Sequence, residues 1–328
     1  MAATAAARAV ARQRPAGTDK LGAMERPPQR PPRSPLRRAR GRLLGALLGG
    51  LAHWLARRRL ATVQRVGRVL GRLTWLLGRR DRRRALAHLA LALPGLDGAG
   101  RRAIARGSCL HLGMNLTETL HLLGADCGGV EGTVDVEGWE TVAALRAAGR
   151  PVMILTGHCG NWELLAALTN CRGLGMAVVG RRLEETVLQD LLLAVRNRFG
   201  TETIERGEAG AARRLLGVFR DGGALGVLID QDIRAESVFV PFFGRPAHTP
   251  VGPARIALRL GAAVVPTFIE RRPDGRHRAV FHPPLVLPDD PLGATAAMTA
   301  AIEEQVRRVP EQWVWMHRRW RRRPDGEA

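Results

Sequence analysis

Beyond residue 85 the apolar positions change period repeatedly. Helical spacing recurs near 99–123, 138–148, 162–171, 185–199, 208–220, 250–260 and 294–309. Between these lie short apolar runs at 151–156 (PVMILT), 176–180 (MAVVG), 224–229 (ALGVLI), 238–243 (VFVPFF) and 263–269 (AVVPTFI). Parallel strands need crossover helices and are buried on both faces. The alternation therefore predicts an α/β fold with a central, mostly parallel sheet flanked by helices.

The pattern before residue 85 is different. Residues 43–56 (LLGALLGGLAHWLA) are apolar and bracketed by Arg40 and Arg42 on one side and Arg57–Arg59 on the other. Residues 60–77 interleave Arg65, Arg68 and Arg72 with Leu, Val and Trp. A spanning helix needs about 20 apolar residues, so these segments predict membrane-associated helices lying in the interface, with arginines reaching the head groups. An amphipathic helix packed on the core is the alternative. The expected organisation is a disordered basic tail at 1–40, membrane-anchoring helices at 41–84 and a globular domain at 85–328.

Charge sharpens that division. Residues 1–84 hold 22 Arg and Lys against three acids, whereas residues 85–328 hold 29 against 27. The net charge of +21 therefore sits almost wholly at one end. Anionic lipid attracts such segments, and so does nucleic acid. Stacking aromatics are nearly absent there, so a membrane surface is expected and nucleic acid is not. Cys109, Cys127, Cys159 and Cys171 form no CxxC pair or zinc-like spacing, and are expected as reduced thiols of a protein on a cytoplasmic face.

The chemistry concentrates in PVMILTGHCGNWELL, residues 151–165. A strand ends at Thr156, Gly157 turns the chain, and His158 follows at the carboxyl end of a strand, where open α/β sheets place their sites. Glu163 stands five residues on, across a loop-to-helix turn that lets the two side chains face one another. A carboxylate on Nδ1–H fixes the tautomer and leaves Nε2 to accept a proton, so His158 is read as general base and Glu163 as its orienting partner. Asn161 is expected to cap the helix starting at Trp162 and is also counted with the substrate-binding residues. Gly160 is expected to leave room for substrate, and Cys159, pointing away from His158, to be a structural thiol. A histidine that merely caps a helix is the bland alternative.

HCGNWE resembles the His-x4-Asp/Glu motif of glycerolipid and lysophospholipid acyltransferases. Two further blocks, 228–269 (LIDQDIRAESVFVPFFGRPAHTPVGPARIALRLGAAVVPTFI) and 310–324 (PEQWVWMHRRWRRRP), follow in order. Together they are similar to the lauroyl/myristoyl lipid A biosynthesis acyltransferases of Gram-negative bacteria. Phosphatidylinositol mannoside acyltransferases are close relatives. The resemblance implies transfer of an acyl chain from an acyl-carrier-protein thioester, or acyl-CoA, to a hydroxyl of a phosphorylated glycolipid. It implies no other cofactor and no metal, with acyl carrier protein, anionic lipid and the glycolipid acceptor as partners, at the cytoplasmic face of the inner membrane. It also places a substrate-binding arginine at Arg196, with Arg198 beside it, and an acidic site residue at Asp230, expected to orient either an arginine or His158. Thr249-Pro250 reads as a helix start and phosphate seat. Trp313, Trp315 and Trp320 read as a membrane-interface ending or a packed one.

Three alternatives stand beside this reading. The same chemistry suits a mannoside or lysophospholipid acceptor. A non-catalytic basic membrane-binding protein would explain the charge but not the residues at strand ends. A thioesterase lacks its GxSxG elbow here.

Overall fold

The computed structural model describes residues 35–183 and 185–324. The tail expected at 1–40 lies outside the described residues as far as residue 34. The chain divides into residues 1–42 and 43–328, and of the first unit only the opening of α1 is described.

Four helices come first: α1 (Pro35–Leu55), α2 (Leu60–Leu77), α3 (Arg79–Ala92) and α4 (Gly98–His121). The alternating part follows as α5 (Cys127–Glu131), β1 (Val134–Glu137), α6 (Trp139–Ala147), β2 (Val152–Thr156), α7 (Trp162–Cys171), β3 (Met176–Gly180), α8 (Thr186–Arg198), β4 (Glu202–Glu205), α9 (Ala211–Arg220) and β5 (Ala224–Leu228). A hairpin of β6 (Ser237–Phe242) and β7 (Arg245–Pro250) leads to α10 (Gly252–Leu260), β8 (Ala263–Arg271), β9 (His277–Phe281) and α11 (Pro291–Arg308), then a 3₁₀ turn at Pro310–Gln312. Seven strands make one sheet in the order β1-β9-β8-β2-β5-β3-β4. Every neighbouring pair is parallel except β8–β9. The expected α/β architecture is present.

β2 is buried at all five positions, as an unbroken apolar run in a parallel sheet requires. β1 (VDVE), β4 (ETIE), β7 (RPAHTP) and β9 (HRAVF) escape the apolar pattern because polar residues interrupt them. The helix expected from Thr249-Pro250 begins two residues later, because those residues close β7 and Pro253 lies in the first turn of α10.

The boundary expected at residue 85 is not a boundary of packing. α2 lies along α4 with Gly67 and Gly71 against Gly113, and a Cβ on Gly113 would sit 2.3 Å from the Gly67 carbonyl oxygen. Backbones approach this closely only where side chains are absent. The same helix leaves Val69, Leu73, Leu76 and Leu77 exposed. Among the described residues no helix is long and apolar enough to cross a membrane.

One further expectation is corrected, and one open alternative is decided. Cys127 and Cys171 form a disulfide across 44 residues, while Cys109 and Cys159 are free and buried. The pairing was invisible in sequence because β1, α6 and β2 intervene before the ends of α5 and α7 meet. Trp313 and Trp315 are buried in the main core beside Phe242 and Phe243, so the carboxyl-terminal tryptophans are packing residues and not an interface belt.

Candidate active site

β2 and β5 are parallel neighbours whose last paired residues are Thr156 and Leu228. Carrying that register two residues further sets His158 opposite Asp230. The structure places them so: His158 Nδ1 is 2.8 Å from Asp230 Oδ1. The His158 backbone N–H donates to Oδ2 at 2.8 Å, and Trp313 Nε1–H donates to the same oxygen at 2.8 Å. An ionised carboxylate only accepts, so Nδ1 carries the proton and Nε2 presents a lone pair. Asp230 is 1% exposed. Burial alone would raise its carboxyl, but the facing imidazole and these three hydrogen bonds outweigh burial and hold it well below the usual carboxylate range.

This corrects the role expected of Glu163. Its carboxylate turns to Arg196, which grips it through Nη2 at 2.6 Å and Nε at 2.9 Å. Such a fork is the strongest arrangement open to an arginine and a carboxylate. Arg196, expected as a phosphate clamp, spends both of those donors on Glu163 and reaches Thr203 Oγ1 at 3.3 Å with its third nitrogen. Sequence spacing missed this because Glu163 opens α7 and Arg196 closes α8, elements 33 residues apart that come together only in the folded chain.

Other expected site residues face away. Asn161 is 1% exposed; it caps α7 as expected, accepting from Leu164 N–H, and donates to Glu118. Both polar atoms of its side chain are thus spent on protein, and it does not line the cavity that His158 lines. Arg198 donates to the Ala125 carbonyl. Gly160 has φ +65°, and a Cβ there would sit 1.7 Å from the Ile269 carbonyl oxygen. Protein backbone, not substrate, occupies that space. Its N–H donates to the Gln312 carbonyl at 3.1 Å. Cys159 is fully buried, which with the nearby Asp230 charge pushes its thiol far above the ordinary range.

His158, Glu163 and Arg196 line one cavity of about 390 Å³. Its wall is apolar, with Ile154, Leu165, Met176, Val178, Leu215 and Leu225 contributing, and Arg181 and Arg206 border it as well. Burial first, and then the neighbouring Arg181, lower the Arg206 pKa. His158 therefore presents an imidazole of fixed tautomer onto an apolar slot. Among the described residues no three His, Cys, Asp or Glu side chains come together to hold a metal ion.

The family model of bacterial lipid A biosynthesis acyltransferases matches residues 46–322. The chain belongs to that family. It thereby stands among O-acyltransferases. It is 26% identical over 269 residues to the lipid A biosynthesis lauroyltransferase of Escherichia coli, covering 80% of this chain and 87% of that one. It is 30% identical over 192 residues to a lipid A biosynthesis acyltransferase of Haemophilus influenzae, covering 58% of this chain and 60% of its relative. A phosphatidylinositol mannoside acyltransferase of Mycobacterium tuberculosis is 25% identical over 187 residues, covering 56% and 59%.

Proposed function

We propose that this enzyme moves a fatty acyl chain from an acyl-carrier-protein thioester, or the coenzyme A thioester, to a hydroxyl of a phosphorylated glycolipid of the lipid A precursor class. The observation that carries the reading is the His158–Asp230 pair opening onto an apolar cavity. The acyl chain lies in the slot, with its thioester carbon near Nε2. Nε2 takes the proton as the acceptor oxygen attacks that carbon. The tetrahedral oxyanion collapses, breaking the C–S bond, and the departing thiolate takes the proton back from the imidazolium. Asp230 stays ionised and stabilises the imidazolium. Gly160 N–H is already used, so the oxyanion falls to the unpaired N–H groups of the first turn of α7. Arg206, at the border of the cavity, replaces Arg196 as the anion-binding arginine for the acceptor phosphate.

The acceptor distinguishes this reading from transfer to a mannoside, and the wider coverage of the E. coli relative favours lipid A. The exposed Val69, Leu73, Leu76 and Leu77 form one stripe flanked by the exposed Arg65, Arg72, Arg79 and Arg80. That surface suits an anionic membrane face. The test mixes purified full chain with acyl-carrier-protein thioester and an acylated, phosphorylated glucosamine disaccharide. Mass spectrometry should show the disaccharide gaining one acyl mass. Release of free fatty acid alone, or acylation of phosphatidylinositol mannoside but not of the disaccharide, would overturn the assignment.

A further inference from the structure

Behind the His158 loop lies a buried polar cluster that the reaction scheme does not use. Arg271, at the end of β8, donates from Nε to Glu118 Oε1 at 3.0 Å and from Nη2 to Glu118 Oε2 at 2.5 Å. The same Nη2 reaches Asn115 Oδ1 at 2.7 Å, and Nη1 meets His111 Nδ1 at 2.6 Å. Gln64 of α2 donates to Glu118 Oε1 at 2.8 Å. Glu118 and Arg271 are 3% and 7% exposed, and neither lines the cavity that holds His158.

The cluster ends on the loop. Asn115 Nδ2 donates to the Gly160 carbonyl at 2.5 Å, and Asn161 Nδ2 donates to Glu118 Oε2 at 2.9 Å. Gln312 joins from the other side. Its backbone carbonyl accepts from Gly160 N–H, while its side chain exchanges hydrogen bonds with the Arg271 backbone at 2.8 and 2.9 Å. Gly160, with its left-handed backbone, and Asn161 are thus held by α4, β8 and the turn before Trp313. A buried pair of this kind is weak evidence for stability, because desolvation offsets most of the Coulomb gain. Where it does act is on a unique geometry for the groups it touches.

We propose that Glu118 and Arg271 are positioning residues: through Asn115 and Asn161 they fix the Gly160–Asn161 backbone, and with it the placement of His158 and the first turn of α7 over the thioester. The kinetic part of this inference rests on the acyl-transfer reading above; the restraint on the loop does not. Two variants of the full chain separate position from stability. Glu118→Gln keeps the shape and removes the charge. Because it strands a buried guanidinium and risks unfolding, the second variant is Glu118→Leu with Arg271→Met, which removes both charges and fills the same volume.

Amide hydrogen exchange and steady-state kinetics are measured on both, well below their unfolding midpoints. Exchange at residues 158–162 should quicken at least tenfold while β2 and β5 keep wild-type protection. The kcat should fall at least tenfold with the acceptor KM within about twofold. A merely structural pair would leave the folded double variant with wild-type loop exchange and kcat, and that result overturns the proposal. Faster loop exchange with no acyl transfer even by the wild type would support the restraint and overturn the functional reading instead.

Discussion

His158 Nδ1 and Asp230 Oδ1 lie 2.8 Å apart, and the second oxygen of the same carboxylate accepts the backbone N–H of the same histidine. One buried acid therefore fixes both the tautomer of the imidazole and the chain that bears it. Trp313 Nε1–H, on the second oxygen, holds the carboxylate in turn.

Asp230→Asn should lower kcat by roughly 10²–10⁴-fold, because an amide facing Nδ1 permits the wrong tautomer. His158→Ala should lose at least as much. Cys159→Ala should keep most activity, since its thiol is buried and protonated. Rates of acyl transfer by proteins shown to be folded check this. A dead Glu163→Gln beside an active Asp230→Asn would return the orienting role to Glu163.

Glu163 and Arg196 should behave as one unit. Glu163→Gln and Arg196→Ala each break the same fork, so the double variant should be little worse than the more damaging single one. Residues in direct contact typically couple by about 0.5–3 kcal/mol. A double-mutant cycle on kcat/KM reads the coupling. Fully additive losses would mean that Arg196 meets substrate independently of Glu163.

How far the sequence reached follows from which contacts are local. His158 at a strand end, the cap at Asn161 and the parallel sheet were legible, since each rests on neighbours or on period. Asp230 was legible as an acid at a second strand end, but its partner depends on which strands are adjacent, and sequence order does not encode that. The Glu118–Arg271 pair spans 153 residues; a glutamate inside an otherwise mixed helix carries no signal of burial. The exposed stripe of α2 was legible as amphipathic. Its opposite face, where glycines admit α4, became visible only once the helices were packed.

The Cys127–Cys171 bond makes a direct prediction. Without reductant the denatured chain should show two reactive thiols, Cys109 and Cys159, and after reduction all four. Replacing Cys171 by Ser should cost about 2–4 kcal/mol of stability, the usual effect of opening a loop of this size. Four thiols in protein never exposed to reductant would contradict the bond.

Leu73→Gln, Leu76→Gln and Leu77→Gln together should weaken binding to vesicles containing anionic lipid by at least tenfold. The unfolding midpoint should stay nearly unchanged, because these side chains are exposed in the fold. Binding should also fall with salt, as screened arginines lose their attraction. Wild-type sedimentation of the triple variant with vesicles would place the contact elsewhere.

Stability should fall on acidification in two stages. Burial, aided by Arg271, lowers His111 to about 3. Burial lowers His317 to about 4, with the nearby Asp230 opposing the shift. Both stay neutral in the fold while the unfolded chain protonates them below their ordinary value of 6.5. The unfolded state then binds more protons, so stability drops as pH falls from 6.5 towards 4, by at most about 1.4 kcal/mol per pH unit for each group. The second stage belongs to Glu118 and Asp230. Burial opposes their ionisation, but Arg271 for the one and His158 for the other hold both carboxyls below their ordinary values of 4.5 and 3.8. Their contribution is present above those values and is lost as pH falls through the lower folded ones. Urea unfolding free energies at pH 7.5, 6, 5 and 4 measure the first stage, and those at pH 3.5, 3 and 2.5 the second. His317→Asn should flatten the slope between 6.5 and 4 while leaving the steeper loss below 4.5 in place. A free energy that holds constant or rises from pH 7.5 to 5 would mean that these histidines take up protons as readily in the fold as in the unfolded chain.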